Sequence, residues 1–285
     1  MIGLLLALVP QDENAFWDAV LERVKPLWIA KSDPAPFVPP PAAELEALAA
    51  FAAGPLDAPL PPALDRAGWR VDWIPFGEEK LRLLRESPDA KRGRGVMLTR
   101  PAAAASKLVL MAPHRFFDKL TGDVARAAFF RARASVLLEN TAHRLWNKAD
   151  DAEHGPSDAA HQEATGLHAL ARGVAAGRKG LLIVQPHGSG GGEDGLASAI
   201  LSDGTRDPGR WVKTAAERLR ASNVRCEVYG VDTRKLGATE NVLGRHLRTS
   251  GADARFLHVE MTLPLREAFK ADAAALADAL RAAAE

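Results

Sequence analysis

Cysteine is almost missing from this sequence. Cys226 is the only one, which excludes an intrachain disulfide framework and any multi-cysteine metal site. A metal centre built from this chain must use histidine and carboxylate ligands. Net charge is nearly missing too. Lys and Arg number 37 against 36 Asp and Glu, a formal charge of +1, so nothing in the charge balance calls for a nucleic-acid partner. No apolar run is long enough to span a bilayer. There is no Rossmann or P-loop glycine pattern. There is no G-x-S-x-G elbow either. Ser189 in HGSGG lacks the first glycine, which disfavours a serine hydrolase.

What remains is an ordinary globular composition, 47% hydrophobic and 26% charged over 285 residues, with core volume that is not limiting at this length. Ile2 to Val9 has the length of a signal-peptide core but no basic n-region and no clear small-x-small cleavage site. It reads as the remnant of an export signal, which would place the protein in the periplasm or outside the cell. The alternative is an N-terminal strand or helix start in a cytoplasmic protein. Residues 1–68 form a helical, proline-punctuated preface, with helical spacing over Asn14 to Lys25 and an alanine-rich helix over Ala42 to Ala53. Residues 69–285 read as one α/β domain.

Within that domain Arg70 to Phe76, Gly95 to Arg100, Lys107 to His114, Ala134 to Glu139, Gly180 to Pro186, Arg225 to Val231 and Arg255 to Thr262 read as strands. Glu78 to Glu86 reads as a short helix or turn. Thr121 to Arg131 with Thr121 as N-cap, Asp158 to Ala176 capped by Ser157 or Asp158, Pro208 to Ala221, Ala238 to Thr249 and Pro264 to Glu285 read as helices. From residue 107 strands and helices alternate. That predicts a mixed, largely parallel central sheet with helices on both faces, and the strands before it add an antiparallel edge.

Three apolar strands deliver chemistry at their carboxyl ends, where open α/β sheets bind ligands. LVLMA runs into Pro113, His114 and, four residues later, Asp118. LLIVQPH ends in His187 and is followed by GSGGG, whose glycines would let the backbone pass close to a site. FLHVEMT carries Glu260. Two imidazoles and a carboxylate suit a catalytic zinc ion, which takes three protein ligands and keeps a position for water. His114, Asp118 and His187 are the candidate ligands. Glu260 is the candidate general base, its carboxyl expected to be raised by the apolar residues before it. Asp158 and His161 form a D-x-x-H pattern, read first as a cap with a solvated histidine and second as a group supporting the site.

In their order, PHRFFD, NTAHR, QPHG and FLHVEMTLPLR resemble the zinc carboxypeptidase-type fold. The closest branch is that of the small amidohydrolases such as N-formylglutamate amidohydrolase and phage poly-γ-glutamate hydrolase. The resemblance covers about residues 95–270 and implies a zinc-exopeptidase-like domain. It assigns His114, Asp118 and His187 to zinc and Glu260 to the base. It also implies that Asn140 and Arg144 bind a substrate carboxylate, although here they stand four apart rather than adjacent. The family's H-x-x-E is H-x-x-x-D here, which keeps Asp123 as a reserve ligand.

The expected function is zinc-dependent hydrolysis of an amide bond near a free carboxylate, in a small peptide or N-acyl amino acid, with Arg144 gripping that carboxylate. The alternatives are a zinc-dependent esterase or deacylase, and a non-catalytic binding module of the same fold.

Overall fold

The computed structural model describes residues 12–101, 105–189 and 197–285. The apolar Ile2 to Val9 and the glycines Gly190 to Gly192 lie outside the described residues. Among the described residues nine strands form one mixed sheet. They are β1 (Trp69–Phe76), β2 (Glu79–Glu86), β3 (Val96–Thr99), β4 (Ser106–Ala112), β5 (Ala134–Glu139), β6 (Leu181–Gly188), β7 (Ala199–Ser202), β8 (Cys226–Val228) and β9 (Ala254–Met261). The spatial order is β1-β2-β3-β5-β4-β6-β9-β7-β8. The central β5, β4, β6 and β9 run parallel. β1, β2 and β3 add an antiparallel flank on β5. At the other side β7 runs antiparallel to β9 and parallel to β8.

The central strands are apolar on both faces because both faces are covered. Leu108, Leu110 and Ala112 of β4 point to one core with Leu182 and Val184 of β6. That core is closed by α1 (Glu13–Val24), α4 (Thr121–Arg131), α6 (Arg210–Ala221) and α9 (Ala274–Ala284). Val109 and Met111 point the other way with Leu181 and Ile183. There they meet α2 (Ala42–Ala53), α3 (Pro62–Arg66), α5 (Gly166–Gly177) and α7 (Val242–Thr249). Phe16, Val20 and Val24 of α1 and Leu48 and Phe51 of α2 are therefore part of the sheet's own cores.

Several elements depart from the sequence reading. Residues 79–86 are strand β2, not a helix or turn. Phe76 pairs with Glu79 across a two-residue connection, and Gly77 has φ +55°, as tight hairpins demand. The short strand β7 was not foreseen. α5 starts at Gly166, with the Thr165 hydroxyl accepting from the His168 amide. Ser157 and Asp158 do not cap it, because the Asp158 carboxylate is drawn to other partners. α4 begins after Leu120 at φ +70°, and Thr121 donates back to the Asp118 carbonyl rather than capping. The C-terminal segment is two helices, α8 (Leu263–Ala271) and α9, broken at Asp272.

Candidate metal centre

After β4 the chain goes to β5 on one side and then returns to β6 on the other. The crevice between the carboxyl ends of β4 and β6 is thus the topological switch point of the sheet. One sheet face changes character as it approaches that crevice. Leu181 and Ile183 give way to Gln185 and His187 on β6, and Phe256 gives way to His258 and Glu260 on β9. The parallel register places Gln185 beside His258 and His187 beside Glu260. The opposite face stays apolar through Val184, Val259 and Met261.

His114 stands two residues past β4. The chain then turns back on itself, with the Asp118 amide donating to the His114 carbonyl at 2.8 Å. That turn puts Asp118 Oδ2 3.5 Å from His114 Nδ1 and 3.1 Å from His187 Nδ1. The Gly188 amide donates to the same oxygen at 3.1 Å. All three side chains are buried, and one donor atom from each lies within 4.8 Å of the others. Two donors on one zinc-sized ion stand about 3.3 Å apart for bonds of 2.0–2.1 Å in tetrahedral geometry. The separations of 3.1 and 3.5 Å match that spacing, so the donor set fits a metal ion. Asp123 is not part of this set. It is partly exposed and paired with Arg126 at 2.8 Å.

His114 is oriented from behind. Its Nε2 lies 2.6 Å from Asp158 Oδ1, which leaves Nδ1 facing the crevice. Arg144 bridges the same pair, with Nη2 2.6 Å from Asp158 Oδ2 and Nη1 donating to His114 Nδ1 at 3.0 Å. Burial alone would lower His114. The hydrogen bonds it makes to the Asp118 and Asp158 carboxylates outweigh it and hold the imidazole above its ordinary value. Asp118 and Asp158 are held well below the carboxylate range. Burial opposes this, and the neighbouring histidines prevail. His187 is pushed down to about 4 by burial, with His258 and His114 adding to it.

Asn140 explains how two separate loops meet. Its amide nitrogen donates to the carbonyls of Pro113 and Ser157, the residues before His114 and Asp158, at 3.1 and 3.0 Å. Its oxygen accepts from the Ala142 amide. Both amide hydrogens are used within the protein, so Asn140 offers no donor to a ligand in this structure.

Glu260 accepts from His258 Nε2 at 3.0 Å through Oε1, while Oε2 is buried with no hydrogen-bond partner. Burial raises this carboxyl, as the sequence suggested. The His258 hydrogen bond and the charges of His258 and His187 reverse the sign, so it sits below its ordinary value. Glu260 does not pair with Arg266, whose guanidinium donates to the Lys119 carbonyl. Gly188 leaves room for that guanidinium, since a Cβ there would lie 2.3 Å from Arg266 Nη1.

Sequence reasoning passed over His258 and Gln185. His258 stacks on His187 with ring centroids 4.4 Å apart. Asn241 caps α7 and also donates to Gln185 Oε1 at 2.7 Å. The signal was present as i, i+2 spacing in QPH and HVE, which places both polar residues of each strand on one face.

No family model and no curated protein matches the sequence. Solved structures do. A candidate carboxypeptidase A from Shewanella denitrificans is similar at a TM-score of 0.44 and 9% identity, over 78% of this chain and 66% of that one. This chain thus spans just under two thirds of that protein. Gene product Atu2144 from Agrobacterium tumefaciens is similar at 0.41 and 14%, over 64% of this chain and 89% of that one. A metallo-carboxypeptidase from Burkholderia cenocepacia is similar at 0.38 and 15%, over 86% and 68%.

Proposed function

We propose that the chain is a metal-dependent hydrolase of an amide bond near a free carboxylate, acting on small peptides or N-acyl amino acids, with zinc as the ion. The observation that carries this reading is one convergence. Three buried donors, His114 Nδ1, Asp118 Oδ2 and His187 Nδ1, face one another beside a carboxylate that is not part of the set and has an unpartnered oxygen. When bound, the ion supplies Lewis-acid polarisation at that point.

The protein's own groups have separable tasks. Glu260 holds one oxygen against His258 and leaves Oε2 free to take a proton from water and return it to the leaving nitrogen. Its lowered pKa keeps it ionised, and so able to accept, at neutral pH. Arg144 is the cation at the mouth, its guanidinium 5.3 Å from the centre of the half-exposed Phe117 ring. Its Nη1 and Nη2 are engaged by His114 and Asp158 in this structure, so a substrate carboxylate would take the planar fork in exchange for those contacts. Asn140 acts here as a staple between loops, which replaces the substrate contact expected from its place in the sequence.

The test is Glu260→Gln on protein with its metal content measured, against a panel of N-acyl amino acids, short peptides and γ-glutamyl peptides. The metal should stay at full occupancy while kcat falls about 10²–10⁴-fold. Loss of the metal would make Glu260 a ligand. Turnover near that of the parent would remove it from the chemistry.

A further inference from the structure

Arg82 of β2 is 4% exposed, yet it has no counter-ion. Its guanidinium donates to the carbonyls of Leu56 and Ala58 at 2.5 Å each and lies 4.3 Å from the centre of the Phe51 ring. No carboxylate stands within ion-pair distance of it among the described residues. Its Nε is buried and has no acceptor. Burial draws the group below its ordinary pKa, and only the charge of Asp57 opposes this. A buried charge without a partner is costly.

A cavity of about 350 Å³ lies against this side chain. The cross-strand register puts Trp73, Arg82 and Thr99 in one row on one face of the sheet. Val71, Leu84 and Met97 form the next row on the same face, packed in the core that α2 and α3 close. α2 ends at Ala53, and the chain passes Arg82 as a loop through Leu56 and Ala58. Beside that loop Trp73 is 49% exposed. Lys80 is two residues before Arg82 and shares its face. It is exposed and forms no ion pair among the described residues. Asp57 is the one acid on the described lining.

We propose that this cavity binds a small carboxylate carrying a planar ring, at a site separate from the candidate metal centre. Arg82 and Lys80 place two positive charges on the lining against one negative charge, Asp57. A carboxylate balances the excess. It takes Lys80 as a direct partner and sits in the field of the desolvated guanidinium, where charge acts more strongly than in water. The Trp73 indole supplies an apolar face on which a flat ring stacks, 6.0 Å from the Arg82 guanidinium. The volume is within the range of small-molecule pockets. Clamping the Leu56 and Ala58 carbonyls is a structural task for Arg82, but it leaves both the charge unbalanced and the indole in water. The two sites lie at opposite ends of the sheet. β3 runs antiparallel to β5, so Thr99 stands beside Val136 near the start of β5, whereas His114 and His187 stand at the carboxyl ends of β4 and β6.

The experiment is calorimetric titration of the full-length protein with phenylacetate and indole-3-acetate, beside the neutral phenylacetamide and the ringless acetate. Both aromatic carboxylates should bind saturably at one site up to millimolar concentration. Phenylacetamide should bind about fivefold more weakly or less, because it lacks the charge. Lys80→Gln should weaken phenylacetate by a similar factor. Trp73→Ala should weaken both aromatic carboxylates about tenfold. Both side chains are exposed, so neither change removes core, and circular dichroism checks each variant. His187→Ala and Arg144→Ala should bind phenylacetate as the parent does, which separates this site from the metal centre. Binding lost in those two variants and kept in Trp73→Ala and Lys80→Gln overturns the proposal. So does a parent that binds none of the probes, or one that binds phenylacetamide as tightly as phenylacetate. A parent that ignores the probes and self-associates through Trp73, seen by sedimentation, assigns the face to a second copy of the chain and overturns it too.

Discussion

Asp158 is where the order around His114 originates. It is fully buried yet touches His114, Arg144 and His161, and burying a charge is affordable only with such partners. A metal-ligating histidine is fixed in ring angle and tautomer by what its other nitrogen meets. For His114 that partner is Asp158 Oδ1, at 2.6 Å. Asp158→Asn keeps the shape, removes the charge and loosens the imidazole. Affinity of the proposed His114, Asp118 and His187 site for metal should drop about 10–100-fold, measured by competition with a chelating dye. A drop under about threefold would mean that His114 is held without Asp158. The residue was hard to read from sequence for a plain reason. An aspartate followed by a periodic apolar run is a good helix cap, and nothing local says that His114, 44 residues earlier, will claim it.

At the scale of elements, period and length were readable where packing agreed with propensity. β5 and α4 fall where the apolar spacing put them, at Ala134–Glu139 and Thr121–Arg131. β2 was obscured because EKLRLLRE also suits a helix, and its register with β1 is set by a turn that period alone does not reveal. α5 was drawn too long for the reason just given. The pairing of α5 with α2 rests on two glycines whose importance is invisible in composition. A Cβ on Gly173 would lie 2.1 Å from the Ala49 carbonyl oxygen, and one on Gly177 would lie 2.1 Å from that of Ala53. Gly173→Ala improves helix propensity by about 1 kcal/mol. It also forces α2 away from α5, and overpacking of this kind costs about 1–3 kcal/mol. The clash is with backbone, which cannot swing aside, so the penalty wins. Urea unfolding should show a net loss of stability. An unchanged or raised midpoint would mean that α2 does not sit on α5 this closely.

For the whole molecule, the layered, largely parallel sheet followed from the alternation of strands and helices. The polar end of one face did not, because His258 and Gln185 sit inside runs that read as buried strand. The same face buries a further histidine whose effect is on the fold rather than the site. His168 on α5 is 1% exposed, its Nδ1 has no hydrogen-bond partner, and the His246 ring lies 6.0 Å away. Burial, with Arg172 and His246 adding to it, pushes its pKa from 6.5 down to about 3. The folded chain therefore keeps His168 neutral where the unfolded chain protonates it. Between those two values the unfolded state binds more protons, so this histidine's contribution to stability is intact above about pH 6.5 and is lost as pH falls toward about 3. The slope from one such group is at most about 1.4 kcal/mol per pH unit. His168→Leu keeps the volume roughly and removes the titration. Unfolding free energies from urea titrations between about pH 6.5 and about pH 4 should fall less steeply in the variant than in the parent, by up to that slope. His114, His187 and the paired carboxylates titrate equally in both proteins and cancel in the comparison. Parallel curves for the two proteins would show that His168 is protonated as easily in the fold as out of it.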